Sequence, residues 1–159
     1  MTTTDRTAGD GARPEPPAGI DPRGPRVGAG ITAALLAVVV LLGPTTAALV
    51  LLAVVALSFL PGALRGTHAT WQGWLFRRFV RPRLAPPEHL EDPRPPRFAQ
   101  LVGLLVTGAG VALGLAGVLA AVPWAAGIAF LATALNATVG LCLGCEIYLL
   151  GRRLQRARA

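Results

Sequence analysis

The sequence predicts an all-α membrane protein: four transmembrane helices, arranged as two duplicated hairpins with a cytoplasmic amphipathic loop between them. Three observations carry this expectation. The chain of 159 residues is 53% hydrophobic and only 14% charged, against about 25% charged in soluble domains. Two long stretches, from Val27 to Leu64 and from Phe98 to Cys145, contain no Asp, Glu, Lys, Arg or His. All the cationic side chains apart from histidine are arginines, and every one lies outside those stretches.

Residues 1–19 are rich in Thr, Gly, Pro and mixed charge. They cannot bury a core and are expected to form a disordered cytoplasmic tail. The polar length of this segment, followed by two apolar runs in succession, argues against a cleaved signal peptide. Residues 20–64 form the first hairpin. One crossing takes about 20 apolar residues at 1.5 Å rise each, so the stretch holds two crossings, near 27–42 and 45–63, interrupted at Gly43, Pro44, Thr45 and Thr46. Residues 65–97 form a loop in which Trp71, Trp74, Phe76 and Phe79 mingle with Arg77, Arg78, Arg81 and Arg83. That pattern describes an interfacial segment. Residues 98–151 form the second hairpin, with crossings near 98–120 and 124–150 broken at Ala121, Val122, Pro123 and Trp124, where the proline ends a helix. Residues 152–159 are a basic tail.

The net charge of +7 would suit a nucleic-acid binder, but its placement excludes one. Arginines flank the apolar runs and leave both tight turns empty, so the expected partner is the lipid bilayer. By the positive-inside rule both termini and the central loop are cytoplasmic, in a bacterial inner membrane.

Two echoes suggest duplication. Asp21-Pro22-Arg23-Gly24-Pro25-Arg26-Val27 opens the first hairpin, and Asp92-Pro93-Arg94-Pro95-Pro96-Arg97-Phe98 opens the second with the same Asp, Pro, Arg, Pro and Arg in register. Leu75-Phe76-Arg77-Arg78 follows the first hairpin, and Leu150-Gly151-Arg152-Arg153 follows the second at a slightly longer offset. Two hairpins inserted in the same sense would be related by an axis along the membrane normal. Gly110 with Gly114, and Gly140 with Gly144, are spaced to let helices approach closely.

One segment carries chemistry. Cys142, Cys145 and Glu146 fall at i, i+3 and i+4, on one face of a helix. If the fourth crossing runs to residue 150, Cys142 lies about 15 Å below the arginine boundary, and Glu146 is the one acidic residue inside a crossing. Three readings of the cysteines stay open. They pack as small hydrophobes; they form a Cys-x-x-Cys dithiol, since one helical turn brings two cysteines within disulfide reach; or, with Glu146, they hold a soft metal. A C-terminal helix position, apolar surroundings and the neighbouring carboxylate would all disfavour a thiolate. One chain offers too few ligands for a metal centre, so none is assigned, and a four-ligand site would need a second subunit in a homodimer.

Taken together, the Asp21–Arg26 segment, the run Leu75-Phe76-Arg77-Arg78-Phe79-Val80-Arg81-Pro82-Arg83-Leu84, Glu91-Asp92 with Pro96-Arg97-Phe98-Ala99-Gln100, and the Cys142–Glu146 segment resemble a family of small bacterial membrane proteins, the domain of unknown function numbered four-three-nine-five. The resemblance spans about residues 20–153. It implies a multi-pass membrane protein, draws attention to the Cys-x-x-Cys segment, and points to a thioredoxin-like or sulfurtransferase partner. Thr67 and Thr70 stand where the repeat would put a second cysteine pair. The expected activity is accessory thiol-redox or sulfur handling, with Cys142 and Cys145 as the dithiol and Glu146 as proton acceptor or orienting carboxylate. The alternative is a non-enzymatic membrane scaffold or small-solute carrier subunit with structural cysteines. No cofactor is legible, and whether the chain is an enzyme is left open.

Overall fold

The structure, a computed structural model, describes residues 19–87 and 89–158. The tail expected at 1–19 therefore lies outside the described residues apart from Gly19. All regular structure among them is helical. Four long helices, α1 (Arg23–Leu42), α2 (Thr46–Arg65), α4 (Arg94–Leu115) and α5 (Ala121–Val139), are each long and apolar enough to cross a membrane. Two others stand outside that set: the short α3 (Trp71–Leu75) and α6 (Leu143–Arg158).

A glycine with positive φ follows each long helix: Gly43 at 62°, Gly66 at 96°, Gly117 at 93° and Gly140 at 75°. Side chains rarely tolerate that backbone. The first break falls where the sequence put it, and Thr45 caps α2 by accepting from the Ala48 N–H at 3.2 Å. The other two differ from expectation. The second turn occupies 116–120, and Pro123 lies in the first turn of α5, where its missing N–H has no helical partner to lose. The fourth long helix ends at Val139, so the expected crossing of 124–150 is two helices joined at Gly140. Consequently the Cys142–Glu146 segment is not inside a membrane-length helix. The basic tail expected at 152–159 continues α6 as far as Arg158.

α1 packs mainly along α5, and α2 mainly along α4. Leu36 and Val39 of α1, Leu52 and Val55 of α2, and Val122 of α5 are almost wholly buried where the helices meet. Glycines bring α4 close to its neighbours. A methyl on Gly110 would press into Ala125 of α5, and one on Gly114 would lie 2.7 Å from Leu49 and 2.9 Å from Val122. By contrast, Gly140 ends a helix, and Gly144 seats α6 against Ala99. The outward faces are apolar: Leu41 is 86% exposed and Trp124 75%. A helix apolar on both faces belongs in lipid or in a large core.

The arginine-bearing ends of the long helices lie together and are laced by paired contacts. Ile20 and Glu91, each standing one position before the Asp-Pro-Arg echo of its half, exchange two backbone hydrogen bonds of 2.9 Å each. Asp21 accepts from the Arg23 N–H at 3.0 Å, and Asp92 accepts from the Arg94 N–H at 2.9 Å. Arg26 donates to the Thr138 carbonyl near the end of α5 at 3.1 Å, while Arg97 donates to the Ala63 carbonyl near the end of α2 at 2.9 Å. The two donors are equivalent in the first sequence echo, and the two acceptors are offset as in the second.

Candidate functional site

Between the ends of α5 and α6 the chain makes a sharp turn. Gly140 adopts the left-handed conformation and donates to the Asn136 carbonyl at 3.1 Å. Two residues later Cys142 starts α6: its carbonyl accepts from the Glu146 N–H at 3.0 Å, and its sulfur accepts from the Cys145 N–H at 3.4 Å. Cys142 therefore does what Ser or Thr does at a helix N-cap. Cys142 and Cys145 are joined as a disulfide, with Cα atoms 5.2 Å apart, and Glu146 lies in the first turn.

This placement reverses the expectation that the cysteines sit toward a helix C-terminus. Here the Cys145 N–H points at the Cys142 sulfur, at the positive end of the helix dipole, an arrangement that favours a departing thiolate. Glu146 gains from the same dipole. The Phe98 and Tyr148 rings, 5.7 Å apart, hold α6 to α4. The short helix α3 also starts on a side-chain cap: the Thr70 hydroxyl accepts from the Gly73 N–H at 3.0 Å.

The disulfide opens on a cleft of about 870 Å³. Cys142, Cys145 and Glu146 line it near the arginine-bearing end, and Val106 and Ile128 line it near the middle of α4 and α5. Gln72 and Thr32 form part of its wall. Sequence reasoning missed both, because a lone glutamine in an aromatic, basic loop reads as a surface residue. In the fold Gln72 is 6% exposed. It lies beside Gly28, where an added methyl would stand in ordinary contact with the Gln72 Cβ at 3.4 Å. The Gln72 amide donates to the Thr32 hydroxyl at 3.4 Å, and that hydroxyl donates to the Gly28 carbonyl at 2.9 Å. The Gln72 carbonyl oxygen, Oε1, is buried and accepts no hydrogen bond from the described residues.

Other residues singled out from the sequence lie elsewhere. His89 is exposed, 3.9 Å from the Glu91 carboxylate. His68 reaches the cleft, but among the described residues no three His, Cys, Asp or Glu side chains gather closely enough to hold a metal ion. Trp74 and Phe79 meet edge-on at 6.0 Å with Arg78 over the Phe79 ring, and Trp71, Trp74 and Phe79 are about half exposed. Phe76, by contrast, is buried against Gly24. Beside α6, Arg94, Arg152, Arg153 and Arg156 surround a hollow of about 210 Å³ with Tyr148.

Four membrane-length helices, a disulfide at the head of a further long helix and a cleft reaching from that disulfide into the bundle define an all-helical protein of membrane type. Residues 20–153 match the sequence model of the family described as Domain of unknown function (DUF4395), and the chain belongs to that family. No curated protein and no solved structure matches it.

Proposed function

We propose that this protein is a multi-pass subunit of the bacterial inner membrane, with cytoplasmic termini and central loop, and that it performs accessory thiol-disulfide exchange through Cys142 and Cys145. The observation that carries the reading is the disulfide at the N-terminus of α6, open to a cleft. Confinement of arginine to one end of the long helices supports the orientation. Descent from a duplicated hairpin is supported by the Ile20–Glu91 exchange and the reciprocal Arg26 and Arg97 contacts, which join positions related by the repeat.

In the exchange, a thiolate of a thioredoxin-like partner attacks the Cys145 sulfur. The bond to Cys142 breaks, and Cys142 leaves as a thiolate that accepts from the Cys145 N–H. The partner's second thiol then displaces Cys145, so the partner ends as a disulfide and this chain as a dithiol. Two electrons pass to the pair, and Glu146 relays the protons.

The test is sequential alkylation in cells. Free thiols are blocked with a permeant maleimide, disulfides are then reduced, and the released thiols are tagged with a maleimide polymer that retards the band. Two tags on the wild type, shifting to none when cellular thiol reductants are raised, are expected. Cysteines that remain reduced under oxidant would refute the reading and leave them a packing role.

A further inference from the structure

We infer that the hollow between the start of α4 and the side of α6 binds the phosphodiester headgroup of an anionic phospholipid, held by Arg94, Arg152, Arg153 and Arg156. Neither cysteine lines this hollow, so the lipid site stands apart from the thiol reading.

The first observation is an excess of positive charge with nothing to answer it. Four arginines and one carboxylate, that of Asp92, line a hollow of about 210 Å³. The carboxylate is engaged by backbone: Asp92 Oδ1 accepts from the Arg94 N–H at 2.9 Å. Among the described residues none of the four guanidinium groups makes an ion pair or a hydrogen bond. Arg23, which the repeat equates with Arg94, behaves otherwise, since its guanidinium closes on Asp21 through two hydrogen bonds of 3.0 Å. Helix electrostatics does not explain Arg94 either. A cation gains at a helix C-terminus, which accounts for the arginines late in α6, but Arg94 opens α4, where the dipole opposes it. An anion in the hollow offsets both the dipole and the repulsion among the four arginines. Guanidinium groups pair with phosphate oxygens through two parallel N–H bonds, so phosphate is the matching group.

The second observation is the setting, which selects a lipid over a soluble anion. Arg94 stands at the start of a membrane-length helix. Gly144 seats α6 against Ala99, and Tyr148 meets Phe98, so α6 runs past the beginning of α4 with its three arginines in its second half. With about 100° between successive residues, Leu149, Arg152, Arg153 and Arg156 share one flank of α6. Ile147, Leu150 and Leu154, each more than half exposed, form a stripe on another. A helix with arginine on one side and leucine on the other lies at the boundary between headgroups and acyl chains. Basic pockets between membrane helices on the cytoplasmic side take phosphate headgroups. Leu149 in the wall suits a phosphate that brings acyl chains with it. A zwitterionic head would carry a cation towards four arginines, so the hollow selects a lipid whose head is purely anionic.

The experiment uses the full chain in detergent, titrated with dioctanoyl-phosphatidylglycerol and read by native mass spectrometry, which counts lipids per chain. One retained lipid per chain is expected, with dioctanoyl-phosphatidylcholine bound roughly tenfold more weakly. Each arginine removed should weaken binding roughly fivefold: Arg94→Gln by that factor, and the triple variant Arg152→Gln, Arg153→Gln, Arg156→Gln by roughly a hundredfold. All four side chains are exposed, so these variants should fold, and circular dichroism checks that they do. Removing as many charges from the central loop by Arg77→Gln, Arg78→Gln and Arg83→Gln, none of which lines the hollow, should leave binding within about twofold. Equal binding of the two lipids, or an equal loss in the loop variant, would overturn the headgroup site and leave a diffuse basic field. An unaffected Arg94→Gln beside an impaired triple variant would overturn the two-helix hollow in favour of a basic tail acting alone. Displacement of the lipid by an excess of inorganic phosphate would overturn the lipid as ligand and assign the hollow to a soluble anion.

Discussion

Two neighbouring glycines on α4, Gly108 and Gly110, should respond oppositely to the same substitution. A methyl on Gly108 would meet nothing within 4 Å. At Gly110 it would press into the Cβ of Ala125 and come within 3.1 Å of a Leu52 methyl. Carbon atoms in contact sit at about 3.5–4.0 Å. Leu52 can turn aside, but Ala125 has no rotamer, so α4 and α5 must separate by roughly 1 Å along a close-packed seam to restore that spacing. Overpacking of that kind costs about 1–3 kcal/mol. Both substitutions gain the same helix propensity, about 1 kcal/mol, which cancels in the comparison. Gly108→Ala should therefore be neutral or stabilising, with Gly110→Ala about 1–3 kcal/mol less stable than it. Unfolding in mixed detergent micelles, followed by far-ultraviolet circular dichroism, measures the difference. Equal stability of the two variants would refute the α4–α5 packing described above.

Two further tests concern the arginine-bearing end. The Asp21 carboxylate, 8% exposed, accepts from the Arg23 side chain and backbone at 3.0 Å, and the Arg23 side-chain hydrogen bonds hold its pKa below the ordinary value against the opposing effect of burial. A carboxylate lowered on folding stabilises fully above its unfolded value of about 3.9, and that stabilisation is lost as pH falls through the lower folded value. Asp21→Asn should therefore cost about 1 kcal/mol near neutrality and progressively less in acid, with the two melting curves converging; a gap that does not close with acid would count against the contact. Arg26→Ala and Arg97→Ala should each cost roughly 0.5–1 kcal/mol, since each removes one cationic donor from a helix C-terminal carbonyl. Costs that differ more than twofold in thermal denaturation would show that the two contacts are not equivalent.

The long helices were legible because burial in lipid requires an uninterrupted apolar run, and a charge-free stretch can be counted. Their ends were less so. Pro123 reads as a terminator, yet proline is accommodated in a helix's first turn, and it is Gly117 that closes α4. The segment Gly140-Leu141-Cys142-Leu143-Gly144-Cys145 is as apolar as the helix before it, so hydropathy cannot reveal that the chain turns there. The cysteines can be found by residue type and spacing alone, and their setting at the start of α6 cannot.

By itself, the sequence determined what depends on composition and local order. These are four membrane-length helices, arginine gathered at one end, the two ordered echoes between the halves, and a cysteine pair at disulfide spacing. Tertiary structure decided what depends on distant residues meeting. Gln72 is buried where it meets Gly28 and Thr32 of α1, forty residues away and more. The repeat echoes become reciprocal contacts only when α1 lies along α5 and α2 along α4. The disulfide overlooks a cleft only because α5 stops at Gly140. Hydrophobicity is a property of each residue and sums along the chain, whereas a cleft and an unpaired acceptor exist only between segments far apart in sequence.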